Sequence, residues 1–483
     1  MSFPFILHPS AFNLAFEVFL NTAGQGRQKG EAGPDIPTRL LRKAVDVKAD
    51  EVRALVLGFV YYFFILSSYY IIRPIRDEMG VAGGVENLPW MFTGTLVAML
   101  VANALFAALV TKFSRRRFIP IAYRFFIINL LVFYALLAWL PAGHQIWIGR
   151  SFFIWTSVFN LFVISVFWAF MADIFSTDQG KRLFGFISVG GTLGGIAGAA
   201  ITATLVQRVG AVYLLLFSAV LLELSAQCVR LFPTGFEGSR DSLRRAEAVA
   251  EAPIGGGIWS GIIHDLRSPY LLGICAYMLL YAITSTLLYF QQAGIAATAF
   301  ADRSARTAFF AQIDLLVNVL TIIVQAFVTG RLLKRLGVGI TLALLPAMSV
   351  IGFTGMGIFP TLTLLVVFLT LRRAGNFAIA RPAREVLFTV VSREDKYKAK
   401  SFIDTFIYRA GDQIGAWSAP AMGWLGLSMV GISFVAAPLA AIWFFVSLWL
   451  GRKQVSMTRE RTQRDVTPAR TIAAAPLLEG AER

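Results

Sequence analysis

Arginines inside an otherwise apolar stretch are the residues of this sequence with the most chemistry to offer. The stretch Leu369–Lys400 reads LTLRRAGNFAIARPAREVLFTVVSREDKYKAK and carries Arg372, Arg373, Arg381 and Arg384, with Glu385 beside them. An arginine at the centre of a membrane helix costs roughly 2.5–3.5 kcal/mol on insertion scales. Lipid does not offset that cost, so such side chains must face protein or a water-filled cavity, where they stay cationic at any reachable pH. A guanidinium fork binds phosphate or carboxylate bidentately, so a cluster at membrane depth suits an acidic solute. Arg372 and Arg373 lie furthest into the apolar run and are assigned to a cavity. Two readings stay open for Arg384: a cavity residue, or a cation at the cytoplasmic mouth paired with Glu385.

Four more constellations sit inside apolar runs. Arg73, Arg76 and Asp77 fall at i, i+3 and i+4, so one helical face presents two guanidiniums and a carboxylate. Pro74 is expected to kink or shorten the helix beneath them. Asp314, Asn318, Thr321 and Gln325 form a polar stripe that must face the bundle interior, either bonding between helices or lining a path. Tyr281, Thr284, Ser285, Tyr289 and Gln292 form another; its tyrosines are read first as core, with stacking on a planar ligand as the alternative. Asp404, Arg409 and Asp412 share one further run; Arg409 and Asp412 are one turn apart and can neutralise each other, which leaves Lys400 as the nearest partner for Asp404. Asp314, Glu385 and Asp404 are the candidates for a titrating carboxylate that couples solute movement to an ion.

These residues need a membrane to give them meaning, and composition supplies one. The chain of 483 residues is 57% hydrophobic and 15% charged, with a mean hydropathy of +0.67. Soluble proteins carry fewer apolar residues and nearer a quarter charged. An all-α polytopic membrane protein is the class that fits. The excess of 16 cations is read as loops on the cytoplasmic side and contact with anionic lipid, not as a nucleic-acid surface. Cys228 and Cys275 sit in separate apolar runs, and His8, His144 and His264 are scattered. That excludes a disulfide framework and offers no metal site, no cofactor site and no enzyme chemistry.

Twelve spans are expected, at about 54–75, 89–111, 118–140, 147–174, 183–206, 211–232, 269–290, 308–331, 338–359, 361–390, 401–425 and 429–450. A polar segment at 233–268 divides them into two six-helix halves, 54–232 and 269–450, with tails at 1–53 and 451–483. Cations cluster in alternate loops, at Arg115–Arg117, Lys181–Arg182, Arg331–Arg335 and Arg393–Lys400, which places both tails and the linker in the cytoplasm of a bacterial inner membrane. The loop-and-helix segment Ser176–Gly195 is echoed by Ser392–Gly415, and TKFSRRR by Gly330–Gly337. A parallel repeat of this kind is the architecture in which solute binds between the halves at the midplane. The glycines of GGTLGGIAGAA in the fifth span are assigned to close helix packing.

With these residues named, the chain resembles the ATP/ADP translocase family of nucleotide transporters, whose fold is similar to the major facilitator superfamily. The resemblance runs from about Tyr61 to Leu450 and is carried by IIRPIRDEMGVAGGVENLPW, FWAFMADIFSTDQGKRLF, RSPYLLGICAYMLLYAIT, ARPAREVLF and KAKSFID. It implies that Arg76, Arg384, Lys398 and Lys400 face phosphate, with Asp77, Glu385 and Asp404 as their partners. Thr156 and Tyr289 stand where members that exchange ATP for ADP carry acidic residues, so the resemblance implies an anionic solute and departs from ATP/ADP exchange itself. The expected function is secondary transport of a phosphorylated anion by a monomer in the bilayer. A general permease for amphipathic compounds, or a sensor that kept the fold, are the alternatives.

Overall fold

In the computed structural model of the chain, the described residues are 47–48, 50–110, 115–232, 268–391, 400 and 402–473. Both tails for the most part, the linker from 233 to 267 and the segment containing Lys398 lie outside them. Every described element is helical, which is what lipid imposes, since a spanning segment must satisfy its backbone polar groups internally. The first set of helices is α1 (Val52–Ala82), α2 (Leu88–Val110), α3 (Arg115–Trp139), α4 (Ala142–Ile174), α5 (Thr177–Val209) and α6 (Ala211–Leu231). The second is α7 (Pro269–Ala299), α8 (Arg303–Phe327), α9 (Thr329–Ile358), α10 (Leu362–Gly375), α11 (Tyr408–Trp424) and α12 (Met429–Ala473). A π-helical turn at Asn376–Ala380 carries α10 into a further helical piece, Arg381–Leu387, and another at Ile403–Ile407 precedes α11.

Among the described residues, eleven spans are long and apolar enough to cross a bilayer. The expected run at 401–425 is not among them, because the π turn shortens α11 and Asp404, Arg409 and Asp412 make it polar. It nevertheless packs along α7. Pro74 does not shorten α1, which continues through it to Ala82. Ile71, Ile72, Ile75 and Met79 on either side of the proline are buried in one core, and neighbouring helices hold the segment straight enough to stay helical. Arg73, Arg76 and Asp77 therefore lie well inside α1 and not at its end. Gly330–Gly337, read as a loop, is helical up to a break at Gly337, where φ is 73° and α9 changes direction.

Lipid tails are as apolar as leucine, so close packing and polar contacts hold such helices together. The run in α5 does this against α1: a Cβ on Gly190, Gly194 or Gly198 would collide with the carbonyl oxygens of Phe59, Phe63 and Ser67 in turn. One core is built mainly from α1, α3, α4, α5 and α6. A second, built from α7 to α12, also takes Val81, Leu88, Met91 and Phe153 from the first set. The bundle has a linker face, on which α1 begins and α6 ends, and an opposite far face, where α1 ends and α8 begins.

Candidate functional site

Between the two sets lies a cavity of about 310 Å³, lined from α1, α2, α4, α7, α10, α11 and Arg381. Midway along α4 it meets Thr156, Ser157 and Asn160; midway along α7 it meets Tyr281, Ser285 and Tyr289. Arg76 lies at its wall with Nη1 2.7 Å from Asp77 Oδ1 and its guanidinium 3.6 Å above the Phe153 ring. The Tyr289 hydroxyl donates to the same Asp77 oxygen at 3.1 Å, which ties α7 to α1. The tyrosines first assigned to core thus face the cavity, because the polar face of α7 turns to the arginines of α10 and α1.

Arg73 and Arg373 converge on one carboxylate from opposite sets. Asp314 Oδ1 on α8 lies 2.6 Å from Arg373 Nη2 and 3.3 Å from Arg73 Nη1. Asp314 is 1% exposed, and its other oxygen, Oδ2, is buried with no hydrogen-bond partner. The interior stripe on α8 is completed by Asn318 and Thr321, both buried, and by Gln325, which donates to the Phe377 carbonyl.

Arg372 meets hydroxyl and carbonyl oxygens and, among the described residues, no carboxylate. Its Nε donates to Ser349 Oγ (3.0 Å), Nη1 to Ser285 Oγ (2.9 Å), and Nη2 to Thr284 Oγ1 (2.7 Å) and the Tyr281 carbonyl (3.4 Å). A guanidinium has five N–H donors, so one on Nη1 remains for a ligand. Tyr281 and Trp443 stack near it at 5.5 and 5.9 Å. On α11, Arg409 pairs with Asp412 at 3.1 Å, and Thr286 donates to the other oxygen of Asp412 at 3.3 Å. Arg381, past the π turn, lies over the Phe377 ring at 4.8 Å. No ion pair joins Arg372 or Arg381 to a carboxylate among the described residues. The wall therefore holds six guanidiniums, and Asp77, Asp314 and Asp412 are the carboxylates that face them. Among the described residues this leaves a net of three positive charges at the wall, with Arg372 and Arg381 outside any ion pair.

Arg384, Glu385, Lys400 and Asp404 do not line this cavity. Arg384 Nη2 lies 3.5 Å from Asp404 Oδ1, and Lys400 Nζ lies 2.8 Å from Glu385 Oε2. Lys400, the expected partner of Asp404, thus pairs with Glu385, and Arg384, for which a cavity position and a pair with Glu385 were both open, pairs with Asp404. Adjacent residues on a helix point about 100° apart, so Arg384 and Glu385 do not face each other and each takes its partner from the segment that carries Lys400 and Asp404. Lys398 falls outside the described residues.

Sequence reasoning missed a second cluster, at the far face. Glu78 is 2% exposed and receives Arg303 Nε (3.0 Å), Arg303 Nη2 (3.1 Å) and Arg306 Nη2 (3.0 Å) from the first turn of α8. Arg303 also reaches Gln145 on α4 at 3.3 Å. Nearby, Gln413 and Trp417 on α11 bond Thr93 on α2 at 3.0 and 3.1 Å. The legible signal was two cations at a helix N-terminus, the sign the macrodipole disfavours, which demands an acidic partner. At the linker face the pair Glu51–Arg182, at 2.9 Å, stays within the first set. Among the described residues, the ion pairs that join the two sets are Arg73–Asp314 at the cavity and Glu78 with Arg303 and Arg306 beyond it.

This arrangement, two sets of membrane helices around a polar central cavity, is similar in fold to several solved membrane transporters. Among solved structures it is similar to a D-xylose–proton symporter, with a TM-score of 0.58 and 13% identity over 83% of this chain and 97% of that one. A bacterial homologue of the iron transporter ferroportin in the inward-facing state matches with a TM-score of 0.56 and 11% identity, over 84% of this chain and all of that one. A bacterial homologue of the human lysosomal transporter Spinster, inward-facing and unoccupied, matches with 0.51 and 10%, over 85% and 96%. No protein-family model and no curated protein sequence matches the chain.

Proposed function

We propose that the chain is a secondary transporter that carries an anionic, phosphorylated solute by alternating access. The observation that carries this reading is the charge of the central cavity: six guanidiniums drawn from both helix sets, opposed by three carboxylates. Arg372 and Arg381 hold charge without a carboxylate to neutralise it, and a doubly charged phosphate ester is the complement such a site lacks. Tyr281 and Tyr289 add ring surface on which the planar part of a nucleotide would stack. The Glu78 cluster joins the two sets at the far face, beyond the cavity, and two of the similar structures are inward-facing. That supports an inward-facing conformation in a bacterial inner membrane with linker and tails in the cytoplasm, as the loop charges require.

A general permease for amphipathic compounds is the second reading. It is favoured by an apolar recess of about 930 Å³ between α2, α3 and α4, lined by Phe125, Trp155 and Phe162 among others. Uptake into proteoliposomes separates the two. Labelled ADP or glucose 6-phosphate should accumulate in exchange for internal unlabelled anion, and Arg76→Gln and Arg372→Gln should each abolish that exchange in protein that melting curves show to be folded. Uptake of a hydrophobic cation that phosphate esters do not inhibit would replace the first reading with the second.

A further inference from the structure

We infer that Asp314 occupies the anion's place in the empty transporter, and that binding of the solute releases it to take up a proton. The inference rests on the proposed anion site and names the ion that would move with the anion. Three observations carry it. Asp314 Oδ1 is ion-paired with Arg73 from α1 at 3.3 Å and accepts a hydrogen bond from Arg373 of α10 at 2.6 Å. Both of those arginines line the cavity, whereas Asp314 stands behind them. Its Oδ2 is buried without any hydrogen-bond partner, so those guanidiniums are all that offsets its charge.

An anion that enters the cavity competes for the same guanidiniums. Arg73 and Arg373 are long, flexible side chains, and a phosphate presents more oxygens in fork geometry than the single Oδ1 they share. Once they turn to the solute, Asp314 is a carboxylate at 1% exposure with nothing to compensate it. A buried charge without a partner neutralises instead of persisting. One proton from solvent, arriving through the water-filled cavity, forms the O–H bond on Oδ2, and no other bond is made or broken.

Few other charged groups face this carboxylate. From α1 they are Arg73 and, beneath it, Tyr70, whose ring lies 5.6 Å from the guanidinium. From α10 it is Arg373. The stretch of α5 packed against α8 there presents Gly195, which meets Asn318, and the segment Gly190–Gln207 has no titratable group. The π turn Asn376–Ala380 has none either, and the cations of α9, Arg331, Lys334 and Arg335, belong to its first two turns. On α8 itself the nearest charge is Arg306, two turns away and engaged with Glu78. Proton and anion therefore share the same pair of arginines, and each must favour the binding of the other. The consequence is symport of anion with proton, with Asp314 as the coupling residue.

The test is proton uptake on binding. Detergent-purified protein in weakly buffered solution with a pH indicator is titrated with ADP, and affinity is measured in parallel by calorimetry. The wild type should take up about one proton per anion bound. Asp314→Asn should take up none and should bind ADP roughly tenfold more tightly at neutral pH, since the internal competitor is gone. Asp314→Glu, which keeps the acid, should retain the uptake, and melting curves show that each variant is folded. An Asp314→Asn protein that binds equally or more weakly, or one that still takes up a proton, overturns the inference and leaves Asp314 as a positioning residue for Arg73 and Arg373. If the wild type binds no ADP, inorganic phosphate or glucose 6-phosphate, the anion site itself falls and the inference with it.

Discussion

Removing the charge of Glu78 should open the far face. In the closed arrangement Glu78→Gln loses the charge of three hydrogen bonds from Arg303 and Arg306. It leaves Arg306, whose side chain is 10% exposed, as an uncompensated buried cation. Stripping one partner from a buried pair costs about 3–5 kcal/mol. The Arg303 side chain is 45% exposed and screened by water, so the lower end, about 3 kcal/mol, applies. When the far face is open both arginines are hydrated, and the substitution costs little there. The equilibrium should then move toward the open form by roughly a hundredfold, since each 1.4 kcal/mol is a factor of ten. A closed-to-open ratio near 99:1 would become about even. Spin labels at His144→Cys and Ala301→Cys, exposed positions on the two sides of the far face, report this as a distance by pulsed electron resonance once Cys228 and Cys275 are replaced. The expected result is a second, longer distance in Glu78→Gln that shrinks again in Glu78→Gln/Arg306→Gln, where the stranded cation is gone. A distribution identical to wild type in a folded Glu78→Gln protein would refute the assignment of this cluster as the far-face lock.

The same network of contacts sets three more outcomes. Arg372→Lys keeps the charge but not the fork that reaches Ser349, Ser285 and Thr284 together, so anion affinity should fall by roughly ten- to a hundredfold; affinity equal to wild type would show that the guanidinium is not part of the site. Gly194→Leu drives a side chain into the Phe63 carbonyl and should lower the melting temperature, by a cost of about 3 kcal/mol or more for such overpacking, whereas Gly143→Leu, in open space, should not. Burial pushes the Glu51 carboxyl up, but hydrogen bonds from the Lys48 backbone, Gln179 and Arg182 outweigh it and hold it below its ordinary value of 4.5. A depressed carboxyl contributes stability at higher pH and loses it as pH falls through its folded value. Melting temperature should therefore drop below about pH 4.5 in the wild type and less in Glu51→Gln, which pH-resolved melting curves check.

Much of this architecture was already fixed by composition and pattern, because a bilayer leaves few choices. A chain this apolar must be helical, its spans must be near membrane length, and charges within them must face inward. Hence Arg73, Arg76, Arg372, Arg373, Arg409, Asp314 and Asp412 could be singled out from sequence, and the glycines of α5 could be assigned to packing. The pairings were a different matter. Arg384 with Asp404, and Lys400 with Glu385, join segments 20 and 15 residues apart, as their numbers show, and leave no mark in hydrophobic periodicity. The continuation of α1 through Pro74 depends on helices packed around it. Asp314 could be placed on an interior stripe, but its two arginines come from 241 residues before it and 59 after it, as the residue numbers of Arg73 and Arg373 show. Glu78 drew no attention beside Asp77, since its partners are on α8, 225 and 228 residues away. Local chemistry tells which side chains must leave the lipid; only the packing of distant helices decides which opposite charge each of them finds, and which of them, like Arg372 and Arg381, meet no carboxylate among the described residues.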